Sequence, residues 1–318
     1  MKRVSLGALL VATVFVGTTA LVAGDGRGNP FVDHSENGET IHVLPPHAAL
    51  HNPNEDNPSD ALPHAGYAVY APSYGSGILR NHGGPTMSNA SFQAIYWNSN
   101  LAASIQGGID AFVGSFSDNL SYSNSNPSAD YTIVQQYVGA YLLTPRTSFV
   151  DTSHDRKKVP GSMSDSSVRS YLASLFANGQ VVPAEDTVFG LYFPSGMKIT
   201  SQGGSSCSSF CGYHGHFAYG GLDIKYAVFP YTDCRACSMA GKQVIDILTI
   251  VTSHEIREAV TDPDLNAWYD DAGYEADDKC AWHNLYRTTT GGFWVQPEYS
   301  NGNGANPYPG PGCVVPNQ

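Results

Sequence analysis

Hydrophobic residues recur along the chain with two periods, which together predict strands alternating with helices. Alternating apolar and polar residues, rich in aromatic and β-branched types, are typical of half-buried strands. Apolar residues three and four apart are typical of one helix face. The predicted strands cover 91–97, 131–143 and 187–193, with a hairpin over 213–231 that turns at Gly220 and Gly221. The predicted helices cover 101–116, 164–177 and 242–261.

The helix over 242–261 is the strongest of these predictions. Its first half is apolar nearly all round, which is typical of a buried helix. Pro263 cannot continue a helix and restricts the residue before it, so the helix should end near Thr261. Together with the alternation of elements, this predicts an α/β or α+β fold, with one mixed sheet and a buried helix in a single domain.

The chain lacks clear periodicity up to about residue 80. Residues 24–80 are rich in Pro, His, Asn, Asp and Gly. We interpret them as a disordered propeptide or linker, although a His-rich tract can also bind metal. The globular domain is then expected over 81–318, with an irregular part after about Gly291 that is tied down by Cys313.

The first 23 residues have the pattern of a secretory signal peptide. Met-Lys-Arg is followed by an apolar run over 4–23, and small residues stand near the end of this run. A membrane anchor is the alternative, because the run is nearly long enough to span a bilayer. The polar sequence that follows favours cleavage of residues 1–23, and hence a secreted, extracellular protein with no membrane segment after cleavage.

Charge excludes two classes of partner. The chain of 318 residues has a formal net charge of −12 at pH 7, and only 14% of its residues are charged. Nucleic acids and anionic membranes need a basic surface, so neither is an expected partner. The low charged fraction is common in secreted proteins. Separately, we expect the protein to be a monomer.

The cysteine content agrees with export. The six cysteines are Cys207, Cys211, Cys234, Cys237, Cys280 and Cys313. An even number in a secreted chain predicts three disulfides. We expect Cys280 to pair with Cys313, and the two close pairs to staple the ends of a hairpin. The first four cysteines could instead form a four-thiolate zinc site.

The predicted buried helix carries the motif His254-Glu-Ile-Arg-Glu258, which is close to the HExxH motif of zinc peptidases. His254 and Glu258 lie one turn apart on one helix face, where both can hold one ion. A carboxylate can replace a histidine as a zinc ligand, and it also makes other divalent cations more competitive. Glu255 stands where HExxH enzymes have the glutamate that takes a proton from the metal-bound water. The alternative is a chance match on an acidic helix surface.

A third ligand is expected from the acidic stretch that follows the helix. Glu275 and Asp278 lie 17 and 20 residues past Glu258 and are three residues apart. One of them can bind the ion while the other orients His254 through its second ring nitrogen. We expect Glu275 to be the ligand and Asp278 to be the orienting residue.

Two other positions are alternatives near this motif. Asp264 is ten residues past His254, as in peptidases whose short turn brings an aspartate back to the metal. Thr261, however, stands where those peptidases usually have glycine. His214 and His216 lie beside a cysteine-bounded stretch, and we consider His214 as a fourth ligand or an oxyanion-stabilising residue. Isolated strand histidines are more often structural. The sequence has no serine-hydrolase motif, P-loop or dinucleotide fingerprint.

Short motifs follow one another in a specific order over roughly residues 80–313. They are His82-Gly-Gly-Pro85 with the strand at 92–97, Cys211-Gly-Tyr-His214, Ser253-His-Glu-Ile-Arg-Glu-Ala-Val-Thr-Asp-Pro263, Asn266-Ala-Trp-Tyr269, and Glu275-Ala-Asp-Asp-Lys-Cys280. In this order they resemble the phosphate-induced protein / EXORDIUM family of secreted plant proteins and their microbial relatives.

The resemblance implies an extracellular or cell-wall location, but no known reaction. It also implies that five residues of this chain have counterparts in the family, whereas Asp264 has none. This favours Glu275 and Asp278 over Asp264 as the source of the third ligand. The five are His254, Glu255, Glu258, Glu275 and Asp278. The long His/Pro-rich N-terminal segment and a shorter link between Tyr269 and Glu275 depart from the family, so a role in plant growth is not transferred.

Two functions agree with these observations. The first is a secreted zincin-like metallohydrolase, a zinc peptidase in which a peptide lies along the strand at 187–193 and Glu255 is the base. The second is a non-catalytic extracellular or cell-wall protein with a structural metal, whose tyrosines, 19 in all, stack on polysaccharide. The expected partner is a peptide or cell-wall substrate, and the expected cofactor is zinc or another divalent cation.

Overall fold

A computed structural model describes residues 29–50, 62–64, 66–117, 130–139, 142–302 and 309–316. The predicted signal peptide at 1–23 lies outside these residues. None of the described helices is long and apolar enough to cross a bilayer. The described residues form a mixed α/β architecture with a mixed sheet, as predicted.

The strands, in chain order, are β1 (Val32–His34), β2 (Thr40–Leu44), β3 (Leu62–His64), β4 (Tyr67–Tyr70), β5 (Arg80–Asn81), β6 (Asn89–Tyr96), β7 (Leu142–Pro145), β8 (Phe149–Val150), β9 (Ser162–Ser164), β10 (Thr187–Tyr192), β11 (Lys198–Thr200), β12 (Gly212–Tyr219), β13 (Leu222–Phe229), β14 (Trp268–Tyr269), β15 (Tyr286–Arg287), β16 (Trp294–Val295), β17 (Glu298–Ser300) and β18 (Gly312–Pro316). The helices are α1 (Ser99–Ser117), α2 (Gln135–Val138), α3 (Asp165–Ala177) and α4 (Val244–Thr261). Short 3₁₀-helices lie at His47–Ala49, Thr132–Val134, Thr152–His154 and Asp278–Cys280.

The largest sheet has eight strands in the order β1-β2-β12-β13-β10-β6-β7, and β8 also pairs with β6. Its centre is parallel, because β10 runs parallel to both β13 and β6. The end of the sheet that contains β1 is antiparallel, because β12 runs antiparallel to both β13 and β2, and β1 runs antiparallel to β2. A smaller sheet has the order β17-β18-β4-β3. β10 therefore lies inside the large sheet with a neighbour on each side, so the prediction that a peptide lies along this strand is wrong.

Helix α4 is the central buried element. It begins at a capping box in which the Gln243 N–H donates to Asp246 Oδ2 at 2.8 Å. Every residue from Ile247 to Thr261 is buried. One side of the helix packs on β12 and β13, and another side contacts β16. The predicted buried helix is confirmed, and it carries its polar motif into the interior.

The three disulfides are Cys207–Cys234, Cys211–Cys237 and Cys280–Cys313. The first two join the segments that flank the β12–β13 hairpin, as predicted, and the third joins the short helix at 278–280 to β18. The alternative of a four-thiolate zinc site is wrong, because all six cysteines are paired. Three disulfides indicate an oxidising environment.

The segment at 131–143 is not a strand over most of its length. It forms a 3₁₀-helix and then α2, which ends where Gly139 adopts φ 75°. The aromatic and β-branched residues that suggested a strand are buried, and the Tyr137 hydroxyl donates to the carbonyl of Tyr299 at 2.5 Å. Packing at helical spacing therefore overrides the β propensity of these residues.

The N-terminal segment is also more ordered than predicted. Within 24–80, β1 and β2 extend the large sheet, and β3 and β4 belong to the smaller sheet. Phe31, Ile41, Val43 and Leu44 are buried in the core. Short strands of this kind gain their stability from pairing with an existing edge, so they carry little periodicity of their own. For the described residues of this segment, the prediction of disorder is wrong.

The C-terminal part is likewise less irregular than expected. β16, β17 and β18 all lie after Gly291, and β18 pairs with both β17 and β4. Cys313 lies in β18, so the predicted covalent attachment coincides with a strand.

Candidate metal centre

Helix α4 brings three predicted site residues into the interior. His254, Glu255 and Glu258 are all 0% exposed. His254 Nε2 lies 3.0 Å from Glu258 Oε2, as expected for residues one turn apart. The carboxylates lie near the C-terminal end of the helix, where the partial negative charge of the helix dipole favours a nearby cation.

The acidic stretch after α4 returns to the same place. The N–H of Asp278 donates to Glu258 Oε1 at 2.9 Å, and the N–H of Glu275 donates to Asp278 Oδ2 at 2.8 Å. Asp278 Oδ1 lies 3.8 Å from His254 Nε2. Two backbone hydrogen bonds therefore orient these carboxylates, and the adjacent Cys280 is tied down by its disulfide.

Two strands of the large sheet supply further histidines. His42 on β2 has Nδ1 at 3.4 Å from both Glu258 Oε2 and Glu275 Oε1, and its Nε2 is 3.4 Å from Asp278 Oδ2. His214 is its partner in the pairing of β2 with β12. Its Nδ1 lies 3.2 Å from Glu255 Oε2, and its Nε2 lies 3.9 Å from Glu275 Oε2.

We call these seven residues the buried cluster: His42, His214, His254, Glu255, Glu258, Glu275 and Asp278. None is more than 3% exposed. Eight of their side-chain atoms have no hydrogen-bond partner: His42 Nδ1, His42 Nε2, His214 Nε2, His254 Nε2, Glu255 Oε1, Glu258 Oε2, Glu275 Oε2 and Asp278 Oδ1. Buried polar atoms normally have partners. The donor set, imidazole nitrogen and carboxylate oxygen, fits a divalent metal.

Burial and mutual repulsion perturb the carboxylates strongly. Burial raises the pKa of Glu255, Glu275 and Asp278 well above the ordinary carboxyl range, and repulsion from Glu258 adds to the increase. Burial also acts to raise the pKa of Glu258, but attraction to His254 outweighs it and holds that pKa well below the usual value. Without a cation, burial and repulsion therefore favour the protonated form of Glu255, Glu275 and Asp278.

The histidines are perturbed in opposite directions. Burial lowers the pKa of His214 to about 3. Burial acts in the same way on His254, but Glu258 outweighs it and raises the pKa to about 9. For His42, attraction to Asp278 and Glu258 overcomes burial and raises the pKa. His214 is therefore neutral near pH 7 and has the lone pair that a metal ligand needs.

Most residues of the buried cluster were predicted from the sequence, but the contacts of Asp278 and Glu275 differ from the prediction. Asp278, rather than Glu275, faces His254 Nε2. The second ring nitrogen of His254, which Asp278 was expected to orient, instead lies 3.0 Å from Gln296 Nε2. Glu275 contacts His42 and His214. The difference arises because the backbone hydrogen bond to Glu258 directs Asp278 toward the helix.

Asp264 is not part of the buried cluster. Its Oδ1 pairs with Lys225 Nζ at 2.5 Å, and the same atom lies 4.0 Å from His216 Nδ1. His216 is half-buried and contacts Asp223 Oδ1 at 2.9 Å. Asp264 therefore lies outside the site, as the stiff path through Pro263 suggested.

Two residues of the site were missed from the sequence. His42 lies in the tract that was interpreted as a linker, where the abundance of histidine was the available signal. The second is Gln296, whose Nε2 lies 3.0 Å from His254 Nδ1 and also contacts the carbonyl oxygen of Asp277 at 2.8 Å. Asp277 Oδ1 accepts from Arg257 Nη2 at 2.5 Å, which gives Arg257 a buried ion pair separate from the cluster.

An open depression of about 720 Å³ lies beside the ends of β2 and β12. Thr40, Glu39 and His216 contribute to its lining. Thr40 and His216 are each two residues from a cluster histidine on the same strand, so they lie on the same face of the sheet. No residue of the buried cluster lines this depression.

Comparison of the chain with protein-family models, curated proteins and solved structures finds no match. Its function is therefore inferred from the geometry of the buried cluster.

Proposed function

We propose that the chain is a secreted, metal-dependent hydrolase whose buried cluster binds a divalent cation. The observation that carries this proposal is the convergence, in the protein interior, of eight ligand atoms that have no hydrogen-bond partner. Buried charges are normally paired or bound to metal, and zinc accepts both imidazole and carboxylate ligands. Zinc is the first candidate, and the many oxygen ligands make manganese and calcium more competitive.

His254, Glu258 and Asp278 are the proposed ligands of this ion. One ligand atom from each lies within 4.8 Å of the others. Asp278 is preferred to Glu275 because it faces His254, whereas Glu275 faces the strand histidines. A bound zinc ion would supply a Lewis acid that lowers the pKa of a bound water.

Glu255 is the proposed general base. It is adjacent to His254 on α4, and its Oε2 is held by His214 Nδ1 at 3.2 Å. Burial raises its pKa, and a raised pKa suits a carboxylate that takes up a proton near neutral pH. His214 is then a positioning residue that orients the base.

A peptide is the proposed substrate class. Among the described residues, β12 pairs with β2 only at Gly212–His214, so the rest of this edge of β12 has no neighbouring strand. An extended peptide can add to such an edge through backbone hydrogen bonds. The depression beside Thr40 and His216 lies along this edge.

Complete burial favours a second candidate function, a non-catalytic protein with a structural metal. Structural metal sites are closed, whereas catalytic sites keep a position open for water. The buried cluster is closed in this conformation. The tyrosines add little support for polysaccharide binding by this candidate, since at least ten of the 19 are buried.

Two measurements on the full chain test the proposal. Elemental analysis of the purified protein should find stoichiometric divalent metal, and a folded protein that takes up no Zn²⁺ would contradict a metal site of either kind. The loaded protein should cleave members of a peptide library and lose this activity with a chelator. Bound metal without cleavage of any member would favour the structural candidate.

A variant pair tests the role of Glu255. Glu255→Gln should keep the metal and lower turnover by roughly 10²–10⁴-fold, the usual contribution of a general base. Asp271→Asn is the matched control, because Asp271 is 71% exposed and pairs with the exposed Arg80. Unchanged turnover in Glu255→Gln would show that another group is the base.

A further inference from the structure

We propose that the buried cluster binds two divalent cations that share Glu258. This inference rests on the metal site of the proposed function and extends it to a second ion. The first position is formed by His254, Glu258 and Asp278, and the second by His42, His214 and Glu258. In each group, one ligand atom per residue lies within 4.8 Å of the others.

Glu258 is placed to serve both positions. Its Oε1 accepts the N–H of Asp278, which fixes the carboxylate and leaves Oε2 without a hydrogen-bond partner. This Oε2 lies 3.0 Å from His254 Nε2 on one side. It also lies 3.4 Å from His42 Nδ1 on the other side, where His214 offers Nε2, its ring nitrogen without a hydrogen-bond partner. A shared carboxylate is suited to hold two ions about 3.5–4 Å apart, the spacing of two-metal sites.

Glu275 gives the second position a further oxygen ligand. Its Oε1 lies 3.4 Å from His42 Nδ1, and its Oε2 lies 3.9 Å from His214 Nε2. With Glu258, the second position then has two imidazoles and two carboxylates. That set is sufficient for a four-coordinate ion without using His254 or Asp278.

The number of donors exceeds what one ion requires. A four-coordinate ion takes four ligand atoms, whereas the buried cluster offers eight atoms without hydrogen-bond partners. With one ion at the first position, both nitrogens of His42 and Nε2 of His214 would stay buried and unpartnered. Leaving buried polar groups unpaired costs about 1–3 kcal/mol each, and a second ion removes this cost for His214 Nε2 and for one of the two nitrogens of His42.

Charge balance leads to the same number of ions. Four carboxylates line the cluster, and among the described residues no lysine or arginine forms an ion pair with any of them. Arg257 pairs with Asp277 instead, and Lys279 pairs with Asp270. Two divalent ions bring four positive charges to match the four carboxylates, whereas one ion brings only two. Uncompensated buried charge is strongly unfavourable.

Metal stoichiometry tests the proposal on the full chain. After saturation with Zn²⁺ and removal of free metal, elemental analysis should find two ions per chain. His42→Ala should bind one ion, because the position that contains His254 remains. His34→Ala is the matched control and should keep two, since His34 is an exposed histidine in the same β1–β2 hairpin. Circular dichroism should confirm that each variant is folded.

The possible results separate the two proposals. One ion per chain, kept by His42→Ala, would overturn the second position and leave the proposed function in place. A wild-type chain that binds one ion, with none bound by either His42→Ala or His254→Ala, would mean that all the histidines hold a single ion, which also overturns the inference. A folded wild-type chain that binds no metal overturns both proposals.

Electron paramagnetic resonance of the Mn²⁺-loaded wild-type protein gives a test that requires no variant. Two Mn²⁺ ions sharing Glu258 should give the broadened spectrum of a spin-coupled pair when two equivalents are bound. The spectrum of an isolated Mn²⁺ ion at full loading would overturn the proposal.

Discussion

His42 Nδ1 lies 3.4 Å from Glu258 Oε2, although the two residues come from distant parts of the chain. The contact exists because β2 adds to the edge of β12 while α4 packs beneath the same edge. It makes an N-terminal strand part of the buried cluster. Glu258 Oε2 also lies 3.0 Å from His254 Nε2, so a substitution of Glu258 affects both proposed metal positions.

Glu258→Gln should abolish metal binding at both proposed positions. The substitution keeps the size of the side chain but removes the charge and the preferred ligand oxygen. We expect the affinity for Zn²⁺ to fall by more than about 100-fold, since residues that only orient ligands already contribute 10–100-fold. Competition with a chromophoric chelator measures this change. Asp271→Asn should bind like the wild type, and equal binding by both variants would contradict a central role for Glu258.

Gln296→Met should weaken metal binding at the position that contains His254. Gln296 is the side chain that contacts Nδ1 of His254, at 3.0 Å, and such partners fix the orientation and tautomer of a ligand. We expect roughly 10–100-fold lower affinity with unchanged stoichiometry of the second ion. Gln296→Glu should restore binding, because its carboxylate oxygen can accept a hydrogen bond from Nδ1–H and so favours the tautomer with the lone pair on Nε2. If both variants bind like wild type, Gln296 has no orienting role.

Loss of the Cys280–Cys313 disulfide should destabilise the fold and loosen the acidic stretch. The bond closes a segment with a sequence separation of 33 residues, for which chain entropy predicts about 3–4 kcal/mol. Cys280→Ala with Cys313→Ala should therefore lower the unfolding free energy by this amount in denaturant titrations. Metal affinity should fall as well, because Cys280 closes the turn that begins at Asp278. The Cys207–Cys234 pair is the comparison, since its loss should lower stability while affecting the metal less.

Gly212→Ala should push β12 away from α4. A Cβ at this position would lie 2.3 Å from Val251 Cγ1 and 3.1 Å from Glu255 Oε1. We expect a loss of about 1–3 kcal/mol, as for other overpacked core sites. Gly107→Ala in α1 is the control, because a Cβ there has nothing within 4 Å and should stabilise the helix by roughly 0.5–1 kcal/mol. Equal effects of the two substitutions on thermal unfolding would contradict the close approach of strand and helix.

Asp151→Asn should reduce stability at pH 7 but not in strong acid. Burial acts to raise the pKa of Asp151, but hydrogen bonds from Ser153 and Tyr171 outweigh it and lower the pKa. A depressed pKa stabilises the fold above the unfolded-state value and loses this effect as pH falls through the folded-state value. We expect a difference of about 1 kcal/mol between variant and wild type at pH 7, because a hydrogen bond to a charged group contributes about 1.5–3 kcal/mol and one to a neutral group about 0.5–1.5 kcal/mol. The difference should shrink below about pH 4 in urea titrations, and a constant difference would contradict the assignment.

Several elements were predictable because their signals are local. Ser164 caps α3 by accepting from the N–H of Ser167 at 3.2 Å, and Gly220 and Gly221 both adopt positive φ at the hairpin turn. Such effects act within one turn of chain and need no knowledge of the fold. The spacing of the motif on α4 is of the same kind, since helix geometry alone brings His254 and Glu258 together.

The segment at 131–143 illustrates where local signals fail. Its tyrosines and β-branched residues favour a strand, but burial of Tyr131, Val134 and Tyr137 stabilises helical turns instead. Propensities differ by only about 1 kcal/mol between residues, whereas burying one large side chain contributes about 1.5–3 kcal/mol. Packing against distant parts of the chain therefore decides the outcome.

The sequence by itself determined the buried helix with its His-Glu motif, the β12–β13 hairpin and the disulfide partners of the last two cysteines. Only the tertiary structure decided that His42 joins this motif, and that Asp278 rather than Glu275 faces His254. Helix spacing and turns follow from neighbouring residues. The meeting of an N-terminal strand with a helix far along the chain depends on the pairing of whole strands, which no short segment specifies.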